Sequence, residues 1–248
     1  MKRQEFKEDE IPYSLLEPFG LSQDMIEDLP AGMLSGILAG RPSPLLPITI
    51  TMDDGQSIKA RTRLRLIRSE DGTADILFSP QLEKSDLSAF SDEERDSLLQ
   101  GKAIVALSPR DGSTHCFVQV DPETSQVLFV PTPVIGRNLR VLMNGHNLTS
   151  AEIQILQDGD TVTFMEGDEM VTAGIDLTFH TGIRLETGDM ERWRSLRGEA
   201  MEEYSFGLYG CWKRDEDGLL SYIHEDEYTD DIWEEQRKAI VRNSQMHR

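Results

Sequence analysis

The stretch of sequence that decides the fold occurs twice, as FSDEERDSLLQG at 90–101 and LTSAEIQILQDG at 148–159. Both copies carry Ser or Thr, then Glu, Leu and Gly in the same order, at a constant offset of 58 residues from Ser91 to Thr149. Ser or Thr with Glu three residues later is a capping box, which satisfies free backbone amides at a helix start. Glycine adopts the left-handed conformation that ends many helices. The sequence therefore predicts two short helices that begin two related units.

A three-stranded meander is predicted after each of these helices. In the first unit the β-prone run 103–107 leads to a turn at 111–112, a second strand ends at 120–121, and a third strand spans 126–130. The second unit has the same order of elements over residues 161–185. Apolar runs separated by Asp-Gly or similar turns are typical of antiparallel hairpins. Each unit is thus predicted to be a helix followed by an antiparallel sheet.

A looser copy of this pattern lies nearer the N-terminus. An apolar segment, 33–38, ends at Gly40, and three strand candidates follow at 48–52, 58–67 and 74–78. Three prolines interrupt the link between helix and sheet, which weakens the likeness to the other two units. Two interpretations stay open: a third member of the repeat, or an unrelated region that happens to contain Asp-Gly hairpins.

Beyond Gly188 the pattern changes. Residues 189–203 have apolar side chains at helical spacing, residues 206–212 and 219–223 flank a polar turn, and residues 229–242 have acids early and bases late, as a helix dipole favours. A helix, a hairpin and a closing helix are predicted. Strand alternation would place Phe206 with Leu208 and Tyr209 with Cys211 on opposite sides; the aromatic side chains of this segment are interpreted as core rather than as a base-stacking platform.

The predicted fold class is α+β, with repeated helix plus three-stranded antiparallel meander units and a C-terminal helix-hairpin-helix segment. The predicted domain boundaries are 1–80 for an N-terminal helix plus β-meander unit, 81–140 for repeat unit 1, 141–188 for repeat unit 2, and 189–248 for the C-terminal segment.

Composition and charge exclude several classes of protein. The chain has 248 residues and a formal charge of −20, and no apolar run approaches the ~18 residues of a membrane span. Residues 81–188 hold 17 acids and 7 bases, and the negative electrostatic field of such a surface repels phosphates and anionic lipids. No secretory signal is recognised, so we expect a cytoplasmic protein whose Cys116 and Cys211 are thiols rather than a disulfide. No membrane partner is expected.

No motif for catalysis, a cofactor or a metal is present. The five histidines share no short spacing with one another or with the cysteines. Gly101-Lys102 lacks the remainder of a P-loop, and the Gly-x-Ser-x-Gly motif of α/β-hydrolases is absent. We therefore predict no catalytic, cofactor-binding or metal-binding residues, no cofactor and no enzymatic activity. A hydrolase that uses two of the 45 acids is the alternative that the sequence leaves open.

Two groups of cations are candidate interaction sites. The first is a basic ladder at alternate positions of a predicted strand: Lys59, Arg61, Arg63 and Arg65. In a strand these side chains share one face, where they could hold a phosphate backbone or an acidic partner segment. The alternative, favoured by the pattern, is an ordinary solvated sheet face on which cross-strand Asp or Glu neutralise the ladder.

The second group is Arg137 and Arg140, in a segment (131–140) that contains two prolines and Gly136 and is interpreted as a loop. Arginines there would offer forked donors to carboxylates or phosphates, which is typical of a recognition surface. The favoured alternative is a linker between the two repeat units whose arginines bond to nearby carbonyls and acids.

Several stretches resemble uncharacterised proteins of Bacteroidetes-type conjugative and mobile elements, namely the domain-of-unknown-function family numbered 4099, with which repeats of the family numbered 3945 are associated. The matching stretches are 16–21, 40–41 with 43–47, 121–133, 173–177, 181–184 and 207–212. This resemblance extends over nearly the whole chain. It implies an accessory protein carried near transfer or replication genes, and it supplies no catalytic residues.

Together these observations favour a non-enzymatic accessory protein of a mobile genetic element that acts by protein–protein interaction. The alternatives are a nucleic-acid-binding accessory factor that uses the basic ladder and the arginines locally, and an acidic protein that imitates DNA. The partner is an unidentified protein. A homodimer is also open, because exposed sheet edges can pair between copies.

Overall fold

The computed structural model describes residues 6–52, 54–109, 111–195 and 201–246. Within these residues, four three-stranded antiparallel sheets each follow a helix along the chain, which confirms the α+β class and the repeated helix-plus-meander units. The chain groups into a terminal unit, Met1–Pro80 with Glu199–Arg248, and a central unit, Gln81–Gly198. The finer division into four segments stays a prediction.

The N-terminal part of the terminal unit has short helices followed by one sheet. Its elements are α1 (Tyr13–Leu16), α2 (Gln23–Glu27), α3 (Ala31–Leu38), β1 (Leu46–Thr51), β2 (Ser57–Arg68) and β3 (Ala74–Pro80). The sheet order is β1-β2-β3, so the predicted helix and three strands of the looser copy are confirmed. Gly40 has φ +72°, the left-handed backbone with which the chain leaves α3.

Apolar side chains at alternate positions of the strands contribute to the core of the terminal unit. Leu64 and Leu66 on β2 are each 2% exposed and pack with apolar side chains of β1 and α3. Side chains at alternate positions of a strand share one face, so these leucines turn one face of the sheet towards the helices. The same cluster includes Trp212 and Leu220, which come from the C-terminal part of the chain. The terminal unit thus has one core built from both ends of the sequence.

The central unit contains the two related repeats. Its elements are α4 (Asp92–Leu99), β4 (Ile104–Leu107), β5 (His115–Val120), β6 (Val127–Pro131), α5 (Thr132–His146), α6 (Ser150–Gln157), β7 (Val162–Glu166), β8 (Glu169–Ile175), β9 (Ile183–Thr187) and α7 (Met190–Ser195). The sheet orders are β4-β5-β6 in the first repeat and β7-β8-β9 in the second.

Both capping boxes form as the sequence predicts. The Ser91 hydroxyl accepts the Glu94 N–H at 3.4 Å, and the Glu94 carboxylate accepts the Ser91 N–H at 2.8 Å. Thr149 and Glu152 make the same pair of bonds before α6. Since both carboxylates accept hydrogen bonds from their cap residues, the pKa values of the two glutamates are lowered. The shared cap confirms the local basis of the repeat.

The prediction of a linker loop at 131–140 is wrong, because residues 132–140 form most of α5 (Thr132–His146). Proline is tolerated in the first turn of a helix because its missing N–H would have no partner there, and Pro133 lies in that turn. Ile135, Leu139 and Leu142 fall on one face of α5 and are buried in the core shared by the two repeats. The helix therefore fills the space between the repeats instead of merely connecting them.

Contacts to backbone groups connect the two repeats at Gln119 and Gly159. Gln119 is 3% exposed; its Nε2 donates to the Gly101 carbonyl at 3.0 Å and its Oε1 accepts the Leu177 N–H at 2.8 Å. Gly159 ends α6 with φ +86°, and an ideal Cβ there would lie only 2.0 Å from the carbonyl oxygen of Ala103. The two repeats thus meet at Gly159, the glycine that ends α6.

The C-terminal part of the terminal unit differs from its prediction. Its elements are β10 (Tyr204–Phe206), β11 (Gly210–Arg214), β12 (Leu220–His224) and α8 (Asp230–Met246). The predicted strand at 206–212 is split by a turn at 207–209, so the predicted hairpin is a fourth meander. The predicted helix to residue 203 is wrong at 201–203, while 196–200 lie outside the described residues. The closing helix is confirmed.

The turn also overturns the predicted alternation of side chains in this segment. Leu208 is 76% exposed and Tyr209 is 41% exposed, whereas Cys211 and Trp212 are fully buried. Trp212 belongs to the core of the terminal unit and its indole N–H donates to the Met25 carbonyl at 2.9 Å. Among the residues that the structure describes, no helix combines the length and the apolar composition that crossing a bilayer requires.

Candidate functional site

The basic ladder lies on β2, and part of it is held within the terminal unit. Arg61 donates from Nη1 to the Leu220 carbonyl at 2.8 Å, and Arg63 is only 8% exposed, whereas Lys59 is exposed. The residues directly opposite the four ladder positions are uncharged: Pro47, Thr49, Leu77 and Ser79. The four cations therefore differ widely in access to solvent.

The two arginines of the predicted loop lie on α5 in the central unit. Arg137 and Arg140 are both exposed, and Arg140 Nε donates to the Gly136 carbonyl of its own helix at 3.2 Å. They belong to a different compact unit from the basic ladder. Each group therefore has to be assessed as a separate surface.

A buried carboxylate that sequence reasoning missed organises one end of the terminal unit. Asp28, just after α2, is 5% exposed, and its two oxygens accept the backbone N–H groups of Leu208 at 2.6 Å and Tyr209 at 3.0 Å. The Tyr222 hydroxyl donates to the same carboxylate at 2.5 Å. Because all three donors point at one anion, the turn between β10 and β11 is fixed against the loop after α2.

The close approach of this turn explains its glycine. An ideal Cβ on Gly207 would lie 2.1 Å from Asp28 Cγ, so no larger residue fits without displacing the carboxylate. A glycine inside a strand pattern often marks such an approach of another group to the backbone. Gly207 was the one local signal by which the sequence could have indicated this site.

Burial and the carboxylate perturb the ionisable groups around Asp28. The pKa of Tyr222 is raised, first by burial and then by its hydrogen bond to Asp28. The pKa of Tyr228 is also raised, mainly by burial, and burial raises the pKa of the Cys211 thiol. The raised pKa values keep the two phenols and the thiol neutral at physiological pH, so the Tyr222 hydroxyl keeps the proton that it donates to Asp28.

A buried ion pair stabilises the end of the second repeat. Arg184 is 1% exposed; its Nε lies 2.9 Å from Asp176 Oδ2 and its Nη2 donates to the Trp193 carbonyl at 2.7 Å. Its guanidinium also stacks over the Trp193 ring, 4.0 Å from the centroid. These contacts hold α7 against the sheet, so we assign this cluster a structural role.

Next to this cluster, the second sheet keeps an apolar patch open to solvent. Met165 and Met170 face each other across β7 and β8 and are 60% and 44% exposed. Gly188 donates its N–H to the Met170 carbonyl at 2.7 Å, and Met190, 40% exposed, follows two residues later. We call Met165, Met170 and Met190 the methionine patch. Acidic residues are close in sequence on both sides of it: Glu166, Asp168, Glu169, Asp189 and Glu191.

A cavity lies in each of the two compact units. One, of about 360 Å³, lies between residues 27–31 and 205–209 of the terminal unit. The other, of about 460 Å³, lies in the central unit where the repeats meet, and Lys102 lies 3.7 Å from Asp160 at its lining. Within the described ranges, no group of three His, Cys, Asp or Glu side chains could hold a metal ion.

The fold is that of an α+β protein assembled from helix-plus-meander units. Residues 6–90, which include the first helices and sheet of the terminal unit, match the family described as "Protein of unknown function (DUF4099)". This match supports the resemblance to family 4099 over about a third of the chain. Neither the curated proteins nor the solved structures contained a match.

Proposed function

We propose that the protein is a non-enzymatic accessory factor of a mobile genetic element that acts by protein–protein interaction in the cytoplasm, without a cofactor. The observation that carries the proposal is the methionine patch on the outer side of the second sheet. Its partner in this proposal is an as yet unidentified protein. The match to a family of unknown function is consistent with the proposal and supplies no reaction.

The chemistry of the patch supports contact rather than catalysis. Methionine side chains are unbranched and polarisable, so they adapt to partner surfaces of different shape. The two methionines leave apolar surface in contact with water, and removing that surface from water would favour association. The acids on either side would form a charged rim around an apolar centre, which is the usual arrangement of an interface.

Binding of nucleic acid through the basic ladder remains the second candidate. It is favoured by the exposed Lys59 and opposed by the contact of Arg61 with a backbone carbonyl, the burial of Arg63 and the net charge of −20. An acidic DNA imitation would need its acids on one continuous face. A homodimer through sheet edges stays a prediction.

The test compares partner capture by matched variants of the full chain. The protein is purified with its bound partners from cells that carry the parent element, as wild type, as Met165→Glu/Met170→Glu, and as Val105→Glu/Leu107→Glu. We expect recovery of the bound partner to fall by about tenfold or more in the methionine variant, because charge is placed at the centre of the contact. Val105→Glu/Leu107→Glu, which places the same charge on two exposed apolar side chains of β4 in the same unit, serves as the control.

Two results would contradict the proposal. Equal recovery with wild type and with the methionine variant would show that the patch is not the contact. Binding of duplex or single-stranded DNA in an anisotropy titration at low salt, lost on Lys59→Ala, would support the nucleic-acid candidate instead.

A further inference from the structure

A second surface, in the terminal unit, has the features of a preformed docking groove. The groove is the cavity of about 360 Å³ between two walls, Glu27–Ala31 after α2 and Ser205–Tyr209 at the turn between β10 and β11. Leu29, Pro30 and Phe206 contribute apolar surface to these walls. Both walls belong to the terminal unit, so the groove is complete within one compact body.

Hydrogen bonds between the two walls fix the distance between them. Asp28 stands in one wall and accepts hydrogen bonds from the N–H groups of Leu208 and Tyr209 in the other. Because Gly207 has no Cβ, the carboxyl group can lie against its backbone, in space that a Cβ would otherwise occupy. A groove fixed in this way loses little conformational entropy when a ligand enters, which favours binding.

The turn also presents apolar side chains to solvent beside the groove. Leu208 is 76% exposed, the most among the large apolar side chains of the described residues, and Tyr209 is 41% exposed. One exposed leucine alone would need no explanation. Here, however, it sits on a turn that two hydrogen bonds to the buried Asp28 carboxylate keep rigid, next to a cavity lined by both apolar and polar residues. Rigid aromatic and aliphatic side chains at a cavity are typical binding anchors.

The charge around the groove is negative. The exposed Glu27 stands in one wall, and neither wall contains Lys or Arg. The acidic turn Glu225–Glu227 begins at a residue whose N–H donates to the Tyr209 carbonyl at 3.0 Å, and all three of its side chains are exposed. Such a field attracts cations and repels anionic segments.

We propose that this groove binds a short segment of a partner protein that carries a large apolar side chain flanked by Lys or Arg. The apolar side chain enters the cavity and contacts Leu208 and Tyr209, while the flanking cations lie against Glu27 and Glu225–Glu227. The groove lies in a different compact unit from the methionine patch, so this proposal stands independently of it.

The test uses full-length protein and a synthetic probe, a short fluorescein-labelled peptide with a central Leu-Phe pair flanked on both sides by lysines. Fluorescence anisotropy measures its affinity at low salt. We expect Leu208→Ser to weaken binding about tenfold, since it removes the apolar anchor but keeps the backbone N–H that Asp28 holds. Glu225→Gln/Glu227→Gln should weaken binding about threefold and reduce its dependence on salt. Met52→Ser, at an exposed apolar side chain of the same unit that does not line the groove, should change nothing.

Three results would overturn the proposal. A peptide with serines in place of the Leu-Phe pair that binds as tightly would mean general attraction to an acidic surface. A peptide with glutamates in place of lysines that binds as tightly would remove the role of charge. Self-association of the wild-type protein that Leu208→Ser abolishes, measured by sedimentation, would mean that the groove takes a second copy of this chain.

Discussion

Asp28 connects parts of the chain that lie far apart in sequence. The N–H of Leu208 that it accepts is 180 residues away, and the hydroxyl of Tyr222 is 194 residues away. A buried carboxylate is expensive to desolvate, and three donors on its oxygens offset that cost. The residue therefore determines at once the stability of the terminal unit and the shape of the groove beside it.

Replacing Asp28 by Asn should destabilise the terminal unit by about 2 kcal/mol. The amide of Asn has one acceptor oxygen, so its NH₂ group would face either the Leu208 N–H or both the Tyr209 N–H and the Tyr222 hydroxyl, and a backbone N–H would lose its acceptor. Urea unfolding followed by tryptophan fluorescence measures the change. Glu27→Gln, an exposed neighbour, is the control and should stay within about 0.5 kcal/mol of wild type. A similarly small effect of Asp28→Asn would contradict the assignment.

The raised pKa of Tyr222 predicts a loss of stability at alkaline pH. In the unfolded chain this phenol ionises near its ordinary pKa of 10.0, whereas in the folded chain burial and Asp28 keep it protonated to higher pH. Above pH ~10 the unfolded state therefore binds fewer protons than the folded state. The stabilisation is complete below pH ~10 and is lost as the pH rises further. Tyr228 contributes in the same direction.

Comparison of two single variants separates these contributions. Thermal unfolding of Tyr222→Phe between neutral and strongly alkaline pH should show a lower melting temperature at neutral pH, because the hydrogen bond to Asp28 is lost, and a weaker decline above pH ~10. Tyr228→Phe provides the matched comparison, since it leaves the Asp28 hydrogen bond in place. An unchanged slope in Tyr222→Phe would be inconsistent with the perturbed phenol.

At the scale of elements, the repeats depend on how tightly their helix ends pack. Gly159 combines a left-handed backbone with direct contact to Ala103, whereas Gly112, at φ +63° in a hairpin turn of the first repeat, has open space around its Cα. At both positions the left-handed backbone disfavours any residue with a side chain. Of the two, Gly159 also has no room for a Cβ atom. The pair therefore distinguishes conformational strain from packing.

We expect Gly159→Ala to lower the free energy of unfolding by about 3 kcal/mol and Gly112→Ala by only about 1 kcal/mol. The first value contains the backbone penalty and the cost of separating the repeats by the width of a methyl group. Chemical denaturation of both variants measures the difference. Equal effects would mean that the contact between Gly159 and Ala103 relaxes without cost.

The elements predicted correctly were those with a local chemical signature. The capping boxes at Ser91 and Thr149 and the glycines that follow them indicated both helices, and the β-prone runs separated by turns indicated the three strands after each helix. Helix α5 was missed because Pro133 and Gly136 are typical of loops, although Ile135 and Leu139 already have helical spacing. There the burial of one helix face outweighed the local propensity of the chain.

The groove could not be predicted in the same way. Nothing near Asp28 in the sequence indicates the turn that it binds, and the run at 206–212 has enough β-prone residues to suggest one continuous strand. Only the tertiary contact decides that this run breaks at Gly207. Conversely, the basic ladder was visible in sequence, but its contact with Leu220 was not, because that partner lies 159 residues away.

For the whole molecule, the two cysteines provide one reporter in each compact unit. Cys116 is 3% exposed in the core beneath the first sheet of the central unit, and Cys211 is fully buried in the terminal unit. Burial raises the pKa of both thiols, which further lowers their reactivity because the thiolate is the nucleophile. Each thiol should therefore react only when its own unit opens.

The variants Cys116→Ala and Cys211→Ala isolate these reporters. In each, the remaining thiol should react with Ellman's reagent far more slowly under native conditions than in denaturant, since its reaction follows the population of the opened unit. Adding Asp28→Asn should accelerate Cys211 by about tenfold or more and leave Cys116 within about twofold, whereas Gly159→Ala should do the reverse. If each substitution accelerated both thiols equally, the chain would open as one cooperative body, and effects measured at the groove could no longer be separated from those at the methionine patch.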